Sequence, residues 1–212
     1  MFEWDSPLMK ILRTLTNYIF VTVLMMICSI PLITVGAAVC AGYDTVRRSF
    51  VLEQGSNAVT IYFRSFARNF KQPTMIWSIC TAVVVLFWQG TRVMEALGLE
   101  GTAPVVLQGI LVLGMVFCVA TLLCALASVA RFNNTVGMLL RNSMLLCVMN
   151  LWRILLLMVV WVIAAVAVVA FRPLVLITPA LAVFYWYRTM EKVFAPHLPE
   201  ELRDKPAEDP GE

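Results

Sequence analysis

Long stretches of this chain carry no charge. Residues 14–43, 72–91, 101–130, 154–171 and 173–187 are uncharged and largely apolar. A helix needs about 20 such residues to cross a bilayer, so at least four of these runs are long enough. The whole chain of 212 residues is 61% hydrophobic and 14% charged, unlike a water-soluble domain. These runs predict an all-α fold, a polytopic transmembrane helical bundle. A cleaved secretion signal is not expected. Glu3 and Asp5 interrupt the basic leader such a signal needs, and the apolar run behind them is too long.

The first run is interrupted by "SIPLITVGAA" at 29–38. A single helix over 14–43 would be about 45 Å long against a hydrocarbon core of about 30 Å. Pro31 lacks an N–H and disfavours helix at Ile30, and Gly36 follows closely. Two arrangements fit: a hairpin with spans at 11–30 and 32–46, or one tilted, kinked helix. Further spans are expected at 72–91, 104–130, 154–171 and 173–190. The hairpin gives six spans with both termini in the cytoplasm. It places Lys10, Arg13, Arg47, Arg48, Arg64, Arg68, Lys71, Arg131, Arg141, Arg153, Arg188, Lys192, Arg203 and Lys205 inside, and only Arg92 and Arg172 outside. A single first span moves Lys10 and Arg13 outside, giving five spans and a weaker bias. The charges favour the hairpin, with Pro31 and Gly36 at its outer turn. The second span, at 15 residues, rises only about 22 Å, so a half-span or a segment buried against its neighbours also fits, and Ala37, Ala38, Ala41 and Gly42 form a small-residue face suited to close helix packing.

Two segments between spans read as interfacial helices. In 57–72, Val59, Tyr62, Phe63, Phe66 and Phe70 share one face, while Arg64, Arg68 and Lys71 line another. Such a helix lies at headgroup level with its basic side toward anionic lipid or a protein partner. In 131–153, Val136, Leu139, Leu140, Met144, Cys147 and Leu151 oppose Asn134 and Arg141, a weaker pattern that also suits a tilted continuation of the fifth span. Arg131 and Arg141 join the basic lipid or partner surface. Residues 1–196 form one transmembrane domain on this reading. The polar, proline-rich segment 197–212 is expected to be a disordered cytoplasmic tail.

Residues that could carry chemistry are sparse. The thirteen acidic residues all lie away from the middle of the expected spans, where coupled transporters usually hold a titrating group. Phosphate-loop, H-E-x-x-H and nucleophile-elbow motifs do not occur. The six cysteines are scattered without a C-x-x-C pair, and the single histidine, His197, falls in the tail, so the cysteines read as small apolar packing residues. Neither catalysis, a cofactor, a metal nor nucleic-acid binding is expected. Asn17, Thr22, Thr81, Gln108 and Thr121, the few polar residues at depth, suit interhelical hydrogen bonds.

"SIPLITVGAA" followed by "YDTVRR", then "FRSFARNFKQPTMIW", then "SVARFNNTVGMLLRNS", resembles the YesL family of bacterial membrane proteins over about residues 2 to 196. Pro31 with Gly36, "NFKQ" at 69–72 and "ARFNNT" at 130–135 carry most of the likeness. The family is classed as a domain of unknown function, and its members are typically encoded beside carbohydrate-uptake ABC transporters in Gram-positive bacteria. The resemblance implies a non-enzymatic accessory of sugar import in the bacterial plasma membrane, with the bilayer and the permease subunits of a sugar ABC transporter as partners. The E-A-A…G loop by which a permease docks its ATPase is missing, so the chain is not read as the permease. A small stand-alone transporter or channel is the competing expectation.

Overall fold

The computed structural model describes residues 7–51, 57–98, 101–132 and 134–197. Their secondary structure is wholly helical. Helix α1 (Pro7–Cys28) is followed by a turn, a short 3₁₀ helix (Leu32–Thr34) and α2 (Val35–Thr45), which runs into a π-helical turn (Val46–Val51). Next come α3 (Ala58–Arg68), α4 (Lys71–Ala96), α5 (Thr102–Val129), α6 (Val136–Met149) and α7 (Leu151–Ala170). A 3₁₀ segment (Arg172–Leu176) leads to α8 (Thr178–Phe194) and a last 3₁₀ turn, Ala195–His197. The expected tail from 198 onward lies outside the described residues.

Among the described residues, three helices are long and apolar enough to cross a membrane: α4, α5 and α7. That is fewer than the six spans expected. Helix α2, expected to return across the bilayer, has 11 residues and rises only about 16 Å. The span expected at 173–190 is divided into the 3₁₀ segment and a 17-residue α8 that carries Arg188, Glu191 and Lys192 in its last two turns. The expected helix over 57–72 ends at Arg68, and α4 restarts at Lys71. The segment 131–153 holds α6, which breaks at Asn150 into α7.

Pro31 separates two helices rather than kinking one. Its own backbone is extended (φ −74°, ψ 115°), and the Thr34 hydroxyl donates to the Cys28 carbonyl (2.7 Å) and the Pro31 carbonyl (2.8 Å), closing the turn. The turn does not lie where the hairpin reading placed it, at the end where α4 meets α5. The Trp77 indole N–H, near the start of α4, donates to the Leu32 carbonyl at 2.9 Å. Ile30, Leu32 and Ile33 at its tip are 65–79% exposed, an apolar surface. From this turn α1 runs alongside α8, with the Tyr18 and Phe184 rings edge-on at 6.3 Å, and also touches the 3₁₀ segment Arg172–Leu176 at the opposite end of the bundle.

Helix α2 is the centre of the packing. Gly36, Ala37, Ala38, Cys40, Ala41, Gly42, Tyr43, Asp44 and Thr45 are all buried, enclosed by α1, α3, α4, α5 and α8. The facing half of α5 is equally small and buried at Ala120, Cys124, Ala125, Ala127 and Ser128. The Cys40 thiol reaches the Leu126 carbonyl at 3.6 Å, which measures how closely the two backbones approach. By contrast α7 buries only Ile154 and Leu157, leaving Val159, Val162, Ile163, Val166 and Val169 exposed. In water that surface would be costly, and in a bilayer it is solvated.

The two glycines of α2 differ in what they tolerate. A Cβ at Gly36 would fall 2.5 Å from both the Pro73 carbonyl oxygen and Trp77 Cβ, atoms of a rigid helix. One at Gly42 would fall 2.5 Å from Met25 Sδ, the end of a flexible side chain. Gly36→Ala is therefore expected to destabilise the protein by about 1–3 kcal/mol. Gly42→Ala should cost clearly less. Thermal unfolding of the two purified variants in detergent measures the difference.

Candidate functional site

The bundle segregates its charges. The Gln72 amide donates to the Asn134 carbonyl (3.0 Å), Arg131 pairs with Glu191, and Arg153 donates to the Lys192 carbonyl (3.2 Å). These contacts gather the starts of α4, α6 and α7 and the ends of α5 and α8 at one end, called here the basic end. Arg92 lies near the far end of α4, paired with Glu95 at 3.2 Å and set over the Trp88 ring at 5.3 Å.

At the basic end several charges are buried, in a part of the bundle built by the end of α2. Asp44 is 1% exposed. Arg48, one turn on, donates its Nε to Asp44 Oδ1 at 3.1 Å, and Arg68 at the end of α3 brings Nη2 to 3.7 Å of Oδ2. The Asp44–Arg48 spacing of four residues puts both groups on one helical face, and the π-helical turn carries that face past Thr45. On the α8 side Arg131, its side chain 8% exposed, pairs with Glu191 and lies over the Phe194 ring at 5.7 Å. Tyr43 precedes Asp44 on α2, Arg47 follows Tyr43 by one turn, and Tyr187 precedes Glu191 by one turn on α8. The Tyr43 ring packs edge-on against Trp186 (4.7 Å) and Tyr187 (5.9 Å). Among the described residues four guanidinium groups, Arg47, Arg48, Arg68 and Arg131, thus gather with two carboxylates, Asp44 and Glu191.

Helix α3 is held to this core by its inward face, Ala58, Tyr62 and Ser65. The Tyr62 hydroxyl donates to the Ala38 carbonyl at 3.2 Å. Burial first, and then the neighbouring Cys28 thiol, push the Tyr62 phenol up, so it stays a donor. Val59, Phe63 and Phe70 face outward, so the aromatic stripe expected to lie in lipid is divided between protein and surroundings.

The expected site residues fall into three places. Pro31, Gly36, Ala38 and Gly42 come together in the α1–α2 turn and the α2 packing face. Arg68 and Lys71 line a concavity of about 760 Å³ with Phe66 and Phe70 where α3 meets α4. Arg64 on α3 and Arg141 on α6 are exposed, whereas Arg131 is turned inward to Glu191. A second, largely apolar cleft of about 310 Å³ lies between the end of α5, α6 and Phe194. The burial of Asp44, Arg47 and Arg48 and the pairing of the half-buried Glu191 do not follow from the sequence pattern alone. The spacing of Asp44 and Arg48 was the available signal, hidden because both sat at a span end where charges are ordinary.

Removing the central carboxylate leaves the buried Arg48 without its counter-charge, while the more exposed Arg68 loses only a longer contact. Asp44→Asn is expected to cost about 3–5 kcal/mol. Glu95→Gln, which breaks the exposed pair with Arg92, should cost less than about 1 kcal/mol. Denaturation of both variants in the same detergent checks the contrast.

Residues 14–90 match a family model described as "Protein of unknown function, DUF624". The matched stretch covers most of α1, all of α2 and α3 and most of α4, and therefore the Pro31 turn, Tyr43, Asp44, Arg47, Arg48 and Arg68. No curated protein and no solved structure matches the chain.

Proposed function

We propose that the chain is a multi-spanning protein of the bacterial plasma membrane that acts without catalysis, as an accessory of a carbohydrate ABC importer. The observation that carries the docking part is the contrast between a tightly closed inner packing around α2 and the broad apolar faces of α4, α5 and α7. Such faces suit lipid and the spans of a partner alike. The resemblance to the YesL family supports the choice of partner.

The same geometry supports five spans, α1, α4, α5, α7 and α8, rather than six. In this arrangement α2 is a half-helix in the cytoplasmic half of the bilayer, and the basic end faces the cytoplasm. Helix α1 then links the turn at the basic end to the far end near Arg172, which puts the N-terminus outside and the C-terminus inside. The competing reading, a small stand-alone transporter or channel, draws on Thr22, Thr121 and Ser143, buried polar residues of the inner packing.

Affinity purification from native membranes in mild detergent tests the accessory role. Co-recovery of a permease or ATPase is expected, and recovery of the chain alone would count against it. Saturable uptake by liposomes holding only this protein would instead favour the competing reading. In intact cells an N-terminal tag should be reached by antibody without permeabilisation, and a C-terminal tag only after it.

A further inference from the structure

Arg47 is a charged group whose surroundings the bundle leaves incomplete. It is 7% exposed and makes no hydrogen bond or ion pair with a described residue. Its buried neighbours differ: Arg48 has Asp44, and Arg131 has Glu191. With no carboxylate of a described residue on it, the Arg47 guanidinium keeps its N–H donors available at the basic end. One turn before it, the Tyr43 hydroxyl, in a residue 1% exposed, has no hydrogen-bond partner among the described residues. Tyr187, 8% exposed with its ring 5.9 Å from that of Tyr43, also makes no hydrogen bond to a described residue. Arg47 follows Tyr43 by four residues, one helical turn on along the same face, and the Tyr187 ring lies against that of Tyr43, with Glu191 one turn further along α8. The one carboxylate among these, Glu191, is already held by Arg131.

The group is therefore rich in donors and short of acceptors. A guanidinium fork offers two parallel N–H donors to an oxyanion, and two phenols add O–H donors from the side. A ligand with several acceptor oxygens and negative charge fits this set, and a neutral sugar does not supply the charge. We propose that Arg47, Tyr43 and Tyr187 form a binding site for a phosphate group at the basic end of the bundle. The phosphate belongs either to a phospholipid headgroup or to a small phosphorylated solute. Arg131 adds a second positive field while remaining paired with Glu191. The site is independent of the proposed importer association.

The test uses the full-length protein purified in a phosphate-free, uncharged detergent. Its melting temperature is followed during titration with inorganic phosphate, and separately with mixed micelles of phosphatidylglycerol or of phosphatidylcholine. At least one arm is expected to raise the melting temperature. A response to inorganic phosphate assigns a soluble ligand, and a response to phosphatidylglycerol micelles without one to phosphate assigns a lipid. Arg47→Met should raise the ligand concentration needed at least tenfold while leaving the ligand-free protein folded, since it breaks no ion pair or hydrogen bond with a described residue. Tyr43→Phe, which keeps the ring packing, should raise it several-fold and carries the test if Arg47→Met is not recovered folded. No response in any arm, or responses in Arg47→Met or Tyr43→Phe equal to the parent's, would overturn the proposal.

Discussion

An eleven-residue helix in an apolar setting must have both of its ends satisfied by protein, because hydrocarbon offers no hydrogen bonds. Helix α2 falls under this constraint, and the rest of the bundle is arranged around it. At its start the Thr34 hydroxyl closes the turn and the Trp77 indole takes up the Leu32 carbonyl. At its end the Val46 N–H continues the ladder to Gly42 and Tyr43 into the π-helical turn, and Asp44 is covered by arginines. Small residues along its length let five helices approach. Gly36 is the tightest point, where α4 would collide with any side chain.

The same enclosure explains the buried charges. Covering α2 on every side also covers Asp44 and Arg47, which on a surface helix would be solvated. Arg68 on α3 stays exposed yet reaches Asp44, so a residue expected on a lipid or partner surface also ties the amphipathic helix to the core. A buried ion pair is rarely a net gain in stability. Its effect here is positional: it fixes the α2–α3 register and holds Arg47 and Tyr43 at one end.

Much of the fold was legible because periodicity and length dominate in membranes. The apolar runs located α4, α5 and α7 to within a few residues, and Pro31 with Gly36 marked a real helix boundary. The place of that boundary was misread because charge counting is blind to depth. Moving only Lys10 and Arg13 changes the bias too little to tell an outer turn from one lying beside Trp77. Arg131, expected at the surface, turns inward to Glu191, and Arg68, exposed as expected, also reaches Asp44; both contacts were hidden for a related reason. A basic stripe on α3 reads alike whether Arg68 meets a headgroup or a buried aspartate, and Asp44 is distant in sequence. Tyr43 and Tyr187 carry no motif, and their pairing exists only once α2 and α8 pack.

The central claim is that the α1–α2 turn rests on the first turns of α4, at the basic end. Spin labels at Leu32 and Met75, both exposed, and at Leu32 and Leu97 in a second variant, test it in lipid nanodiscs by electron–electron distance measurement. Met75 and Leu97 are about 33 Å apart along α4. The claim requires a short distance from Leu32 to Met75 and a long one to Leu97. A Leu32 label nearer to Leu97 would place the turn at the far end and contradict it.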